Sequence, residues 1–126
     1  MLENRQKIGF DSFLPAGGIL VWKVNDAAQN NDNESCYRVG LVQADGKKDL
    51  ENSINLGDDG DAFPGSAMKR LFAKFTTPST VLCDGSSYPM LSISNISDPG
   101  PAMSFVAVLD ICPPANCGIL INPVSN

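Results

Sequence analysis

Apolar residues fall along this chain in short runs, each closed by Gly, Pro, Asn or Asp, the punctuation of strands and turns. Gly18 to Val24 is mostly apolar and rich in β-branched and aromatic residues, between a Pro-Ala-Gly-Gly turn and an Asn/Asp loop. It predicts a strand buried on both faces. Tyr37 to Gln43 alternates, with Tyr37, Val39 and Leu41 against Arg38 and Val42, and predicts a half-exposed strand. Met90 to Ile96 alternates strictly, with Leu91, Ile93 and Asn95 opposed to Met90, Ser92, Ser94 and Ile96. After Asp98-Pro99-Gly100-Pro101 the run Ala102 to Ile111 follows, so a hairpin with a longer loop is expected. Gly118 to Ile121 predicts one more short strand before Pro123 ends it.

Two regions depart from this pattern. Ser66 to Phe75 places Met68, Leu71, Phe72 and Phe75 on one face of a short helix with Ser66 as N-cap. Lys48-Asp49-Leu50-Glu51 suits a helical turn inside a connection. There is no internal repeat, heptad or low-complexity linker, so residues 1–126 are expected to form a single all-β domain, an antiparallel β-sandwich-like fold with one short helix near 66–75. A chain of 126 residues buries around two thirds of the surface it exposes when unfolded, enough for a core of its own.

Charge narrows the partners. Fourteen acidic and nine basic side chains give a formal charge of −5. No Lys or Arg cluster could neutralise a run of phosphates, so nucleic acid and anionic membrane surfaces are not expected. Neither Ile19–Trp22 nor Phe105–Leu109 approaches the roughly 20 apolar residues of a membrane-spanning helix.

The acidic residues concentrate in one place. In Gly57-Asp58-Asp59-Gly60-Asp61, the carboxylates of Asp58, Asp59 and Asp61 repel one another unless a turn spreads them or a cation neutralises them. One reading is a structural calcium loop, its glycines folding backbone carbonyls around an oxygen-bound Ca²⁺, with Asp45 and Asp49, and beside them Glu51, as weaker candidates. The other is a solvated turn, rich in Gly and Asp for conformational reasons alone. The spacing is not that of an EF-hand. Asn25 to Glu34 is also dense in oxygen ligands, with the composition of a surface loop. Asn33-Glu34-Ser35 and Asn95-Ile96-Ser97 fit the glycosylation sequon, although Asn95 falls inside a predicted strand.

Catalytic constellations find little support. The chain contains no histidine, so Ser86, Ser87, Ser92, Cys83 and Cys112 have no imidazole base, and no imidazole can ligate Zn²⁺. Carboxylates are plentiful enough for glycosidase chemistry, but they sit in Gly-rich turns. Trp22, Tyr37 and Tyr88 could stack on a sugar, yet Trp22 lies mid-run in a buried-looking strand and reads as core.

The segment Glu3-Asn4-Arg5-Gln6-Lys7-Ile8-Gly9-Phe10-Asp11, continuing through Leu14-Pro15-Ala16-Gly17-Gly18-Ile19-Leu20-Val21-Trp22-Lys23-Val24-Asn25-Asp26, resembles the distal part of the immune-inhibitor-A-type (M6-like) secreted zinc metallopeptidases. Further patches continue the resemblance in matching order: Val39 to Gly46 with Asp49-Leu50, Gly57 to Ser66, Thr76 to Ser79, Asp84 to Ser87 and Leu91 to Ser97. Together they cover roughly residues 3 to 108, and the tail from Asp110 to Asn126 is unmatched. Lys23 departs from the family, whose members usually carry His after the Trp.

The family's zinc site lies upstream in a His-Glu-x-x-His helix that this chain lacks. The resemblance therefore implies a non-catalytic accessory domain, without Zn²⁺, whose partner is the catalytic domain of a parent peptidase. It also implies a secreted or cell-surface location. The opening residues carry no apolar leader, which together with the missing helix reads as a piece of a longer protein. The second reading, from a different class, is an autonomous extracellular module presenting loops to a polysaccharide or protein.

In an extracellular setting the even count of Cys36, Cys83, Cys112 and Cys117 suggests disulfides, in any of three pairings. Cys36–Cys83 with a local Cys112–Cys117 loop is the preferred one. Buried free thiols are the alternative in a reducing compartment.

Overall fold

The computed structural model describes residues 1–83, 85 and 90–110, and the expected strand at 118–121 and the cysteines at 112 and 117 lie outside them. Five strands follow one another: β1 (Leu2–Arg5), β2 (Gly18–Val24), β3 (Val39–Val42), β4 (Met90–Ser94) and β5 (Val106–Asp110). They form two antiparallel sheets, one ordered β1-β2-β3 and the other pairing β4 with β5. The protein is all-β, and no α-helix occurs among the described residues. A 3-10 turn over Gly9–Phe13 links β1 to β2.

β2 is the spine of the larger sheet, and its two faces feed two separate cores. Ile19 and Val21 join Val42, Ala44, Phe63, Phe72, Ile93 and Ile96 in one buried cluster. Leu20 joins Ala16 and Ala62 in a second cluster, with Trp22 and Leu41 packed against it. A strand that must bury alternate residues on both sides needs a nearly continuous apolar run, which is the composition of this segment. At its start, Ile19 and Phe63 exchange N–H···O bonds of 2.8 Å in each direction. The approach is close: a Cβ added to Gly18, which lies at φ +145°, would meet the Phe63 carbonyl oxygen at 2.4 Å. Only glycine fits there.

The first cluster draws residues from both sheets, and Phe63 and Phe72 connect them, their ring centroids 5.7 Å apart and their planes tilted by 59°. Residues 66–75 do not form the expected helix. Gly65 and Met68 take φ values of +60° and +52°, which turn the chain away from the right-handed helical region. Phe72 then exchanges hydrogen bonds with Ile93 at 2.8 and 2.9 Å, so it sits as a bridge beside β4. Of the four residues on the supposed helical face only Phe72 is buried, while Met68, Leu71 and Phe75 are exposed. Ten residues of amphipathic helix are marginal without packing, and the sheet supplies a better partner for the single ring that matters.

A smaller correction concerns β4. The strand ends at Ser94, and exposed Asn95 takes φ +53°. That break in alternation brings Ile96 into the same buried cluster as Ile93. Strict period-two reading had placed them on opposite faces. The run expected from Ala102 pairs only from Val106 onwards.

Candidate functional site

The acidic turn folds around Gly60. Asn55 Oδ1 accepts the Gly57 N–H at 2.9 Å, and Asn55 Nδ2 donates to Asp58 Oδ2 at 2.8 Å. Asp58 Oδ1 accepts the Gly60 N–H at 2.6 Å, and Asp61 Oδ2 accepts the Asp58 N–H at 2.8 Å. The backbone N–H groups of Ala44 and Asp45 donate to the carbonyls of Asp61 and Gly60, pinning the turn to the end of β3. Asp45 Oδ1 accepts the Lys47 N–H at 3.1 Å, and its other oxygen pairs with Lys47 Nζ at 3.2 Å. A Cβ on Gly60 would fall 2.5 Å from Asp45 Oδ2 and 2.9 Å from Asp58 Oδ1, so these two carboxylates close over the glycine from either side.

Asp45, Asp58 and Asp61 are thus brought together, while Asp59 is exposed and contributes its backbone carbonyl to the Ser66 N–H. Asp61 is only 5 % exposed. Burial pushes its carboxyl above the usual range, and the charges of Asp58, Asp45 and Asp49 push in the same direction against the hydrogen bond from Asp58. Asp49 acts through this field, and Glu51 accepts from Gln43 Nε2. Among the described residues no three acidic or Cys side chains stand as a ready metal shell. The carboxylates are instead held by the donors of their own turn.

The polar loop before β3 is ordered by Asx turns. Asn25, Asn30 and Asn33 each accept the N–H two residues ahead, at 3.0, 3.2 and 3.0 Å. Asn31 does something different: its Nδ2 donates to the Val39 carbonyl at 2.9 Å and its Oδ1 accepts the Val39 N–H at 3.0 Å. That side chain completes the edge of β3 as a neighbouring strand would.

Beside this edge lies a half-open cleft of about 600 Å³, walled on one side by β3 and on the other by residues 77–83. A disulfide between Cys36 and Cys83, with Cα atoms 5.2 Å apart, holds the two walls together. Lys23 is half-buried, and its Nζ donates to the Val81 carbonyl at 2.7 Å. Burial and the neighbouring Lys48 lower the Lys23 pKa. Tyr37 also lines the cleft, and its hydroxyl pKa is raised by desolvation and by Glu34 and Glu51. Trp22 is packed against the second core cluster, so it offers no sugar platform, and Tyr88 lies outside the described residues.

Sequence reasoning missed the cleft, because its residues come from three distant segments, and it missed β1, whose Leu-Glu-Asn-Arg sequence carries no period. The Asn spacing was the available signal. Comparison with protein families, with curated proteins and with solved structures finds no match.

Proposed function

We propose that this chain is a non-catalytic accessory β domain of an immune-inhibitor-A-type peptidase, secreted or displayed at the cell surface, which packs against the zinc catalytic domain. The observation that carries this reading is an apolar apron beside the 3-10 turn. Phe10, Phe13 and Leu56 are almost wholly exposed, with Ile8 and Ile54 also largely so. The two segments adjoin, since a Cβ on Gly57 would lie 3.1 Å from Pro15 Cγ. Two phenylalanine side chains supply roughly 300–500 Å² of surface. That is a large part of the about 800 Å² that each partner buries in a stable interface, and it matches the largest apolar patch of an ordinary monomer. The Cys36–Cys83 bond is compatible with an oxidising compartment.

The test is association in trans with the zinc catalytic domain of an immune-inhibitor-A-type peptidase, followed by sedimentation. Binding that falls about tenfold or more in Phe10→Ser/Phe13→Ser, at unchanged melting temperature, is expected, as for interface anchors. No association, or association indifferent to both phenylalanines, overturns the reading.

Calcium belongs to the same proposal as a stabiliser of the acidic turn, with Asp58 and Asp61 as its ligands and Asp45 beside them. Their mutual repulsion would be relieved by the cation, at the cost of releasing some of the turn's own donors. Millimolar Ca²⁺ is expected to raise the melting temperature more than Mg²⁺ does, and to do so less in Asp58→Asn. Equal response to the two ions, or none, leaves the turn as a plain Asx structure.

A further inference from the structure

The larger sheet has its other end at β1, whose outer edge carries backbone groups that β2 does not use. Met1 and Trp22 exchange two hydrogen bonds, Met1 nitrogen to the Trp22 carbonyl and Trp22 N–H to the Met1 carbonyl, each 2.9 Å. Bonded and non-bonded pairs alternate along an antiparallel ladder, so Glu3 with Leu20 is bonded, while Leu2 with Val21 and Asn4 with Ile19 are not. Ile19 agrees with this parity, because it turns both of its groups away from β1, to Phe63. The N–H and C=O of Leu2 and Asn4 therefore face outward, and nothing pairs with them among the described residues. The Asn4 side chain is used within the chain: Nδ2 donates to the Gly100 and Pro101 carbonyls at 3.3 Å each, and Oδ1 accepts Gln6 Nε2 at 2.7 Å. A groove of about 450 Å³ is lined by the four consecutive residues Glu3 to Gln6, with Ile8 and Asp11 among its other walls. Successive side chains of a strand point to opposite faces, so four in a row mean that the groove runs along the edge.

We propose that a second copy of this chain adds at this groove, β1 antiparallel to β1 about a two-fold axis, which joins the two three-stranded sheets into one. Outward N–H and C=O groups on an edge strand are what strand addition uses. A two-fold pairing also needs an edge that complements itself, and Glu3-Asn4-Arg5 does so. With the axis at Asn4, the two Asn4 residues exchange both backbone bonds, and each Glu3 lies directly opposite the Arg5 of the other copy in a non-hydrogen-bonded pair, where side chains are closest. With the axis at Glu3, the two Glu3 carboxylates would stand opposite each other, which is destabilising. The charges therefore fix the register. Within one copy, Arg5 Nε and Nη2 both reach Glu3 Oε1. Glu3 Oε2 and Arg5 Nη1 have no partner among the described residues, and these two side chains are only 35 % and 37 % exposed, so they meet the other copy at the edge rather than in free solvent. The four side chains form a ring of alternating charge. Asp11, the other charged residue lining the groove, belongs to the 3-10 turn and is not matched by this pairing. The proposal does not rest on the docking reading, although Ile8 belongs to both the groove and the apron.

The experiment is sedimentation equilibrium of the whole chain up to millimolar concentration, where the parent should form a dimer. Glu3→Arg and Arg5→Glu each set like charges opposite one another at both pairs across the axis, and each should weaken the dimer about tenfold or more. An equimolar mixture of these two variants should restore association as a mixed dimer, which also shows that both are folded. In hydrogen exchange the Asn4 N–H should gain protection as concentration rises, whereas the Glu3 N–H, bonded to β2, should be protected throughout. Phe10→Ser/Phe13→Ser should leave self-association unchanged. The proposal is overturned if the parent stays monomeric at millimolar concentration, if either charge variant associates like the parent, or if the mixture does not recover. Loss of the dimer in Phe10→Ser/Phe13→Ser equally overturns it, since the second copy would then sit on the apron.

Discussion

Asp61 holds a carboxylate inside the protein among three other acids, and its burial first, with that crowding second, makes its protonation part of the stability. Its folded pKa is raised above the ordinary 3.8, so the folded state holds the proton more tightly than the unfolded chain does. Its contribution is fully present below about pH 3.8 and is lost as pH rises through the raised folded value. Asn in its place keeps an oxygen for the Asp58 N–H and removes the charge. The melting temperature of Asp61→Asn relative to the parent should therefore climb from acid to neutral pH, as followed by calorimetry in a chelated buffer. A difference that stays flat across that range would mean that neither burial nor the neighbouring acids raise the Asp61 carboxyl in the folded protein. This crowding was legible in the spacing of Asp58, Asp59 and Asp61. Asp45 was a weaker candidate on the same reading; that its carboxylate stands beside Asp58 and Asp61 while Asp59 faces solvent depends on which carbonyls the end of β3 pins.

At the level of elements, the segment from Ser66 to Phe75 shows local and long-range preferences in conflict. Its period suited a helix, but two residues at positive φ and a backbone exchange with Ile93 set it beside β4 as a bridge. A helix would have placed Phe72 and Phe75 on one face. The sheet separates them, leaving Phe72 3 % and Phe75 92 % exposed. Phe72→Ala should therefore cost about 3–5 kcal/mol, and Phe75→Ala should stay within about 0.5 kcal/mol, both measured by urea unfolding. Similar costs for the two would restore the helical reading. β2 shows the opposite case. Its seven-residue span coincides with the expected strand, since an unbroken apolar run between a Gly-Gly turn and a polar loop has few other ways to satisfy its backbone.

For the whole molecule, the Cys36–Cys83 bond ties the loop before β3 to the segment that leads toward β4, across 47 residues of sequence. Closing a loop of that length removes unfolded-state entropy worth about 4 kcal/mol. Cys36→Ala/Cys83→Ala should lose most of that in urea unfolding while keeping the far-ultraviolet signal of the sheets. A loss below about 1 kcal/mol would show that the walls of the cleft hold together without the bond. Such a clasp matters in a domain whose apolar residues are divided between two clusters on either side of one strand.

What the chain determined by itself is what depends on neighbours in sequence. It includes the all-β class, the span of β2 and its burial on both faces, the start of β4, the acidic and Asn-rich turns, and the lack of any imidazole for zinc. These follow from composition, period two and turn chemistry, each of which acts over a few residues. Tertiary structure alone decided that polar Leu2–Arg5 is a strand, that residues 66–75 are not a helix, and that Asp45, of the weaker candidates, stands beside Asp58 and Asp61 while Asp59 faces solvent. It also placed Lys23, Lys48 and the edge of β3 around one cleft. Each of these requires a partner far away in sequence, and a backbone hydrogen bond or a buried ring goes to whichever distant segment the packed core brings within reach.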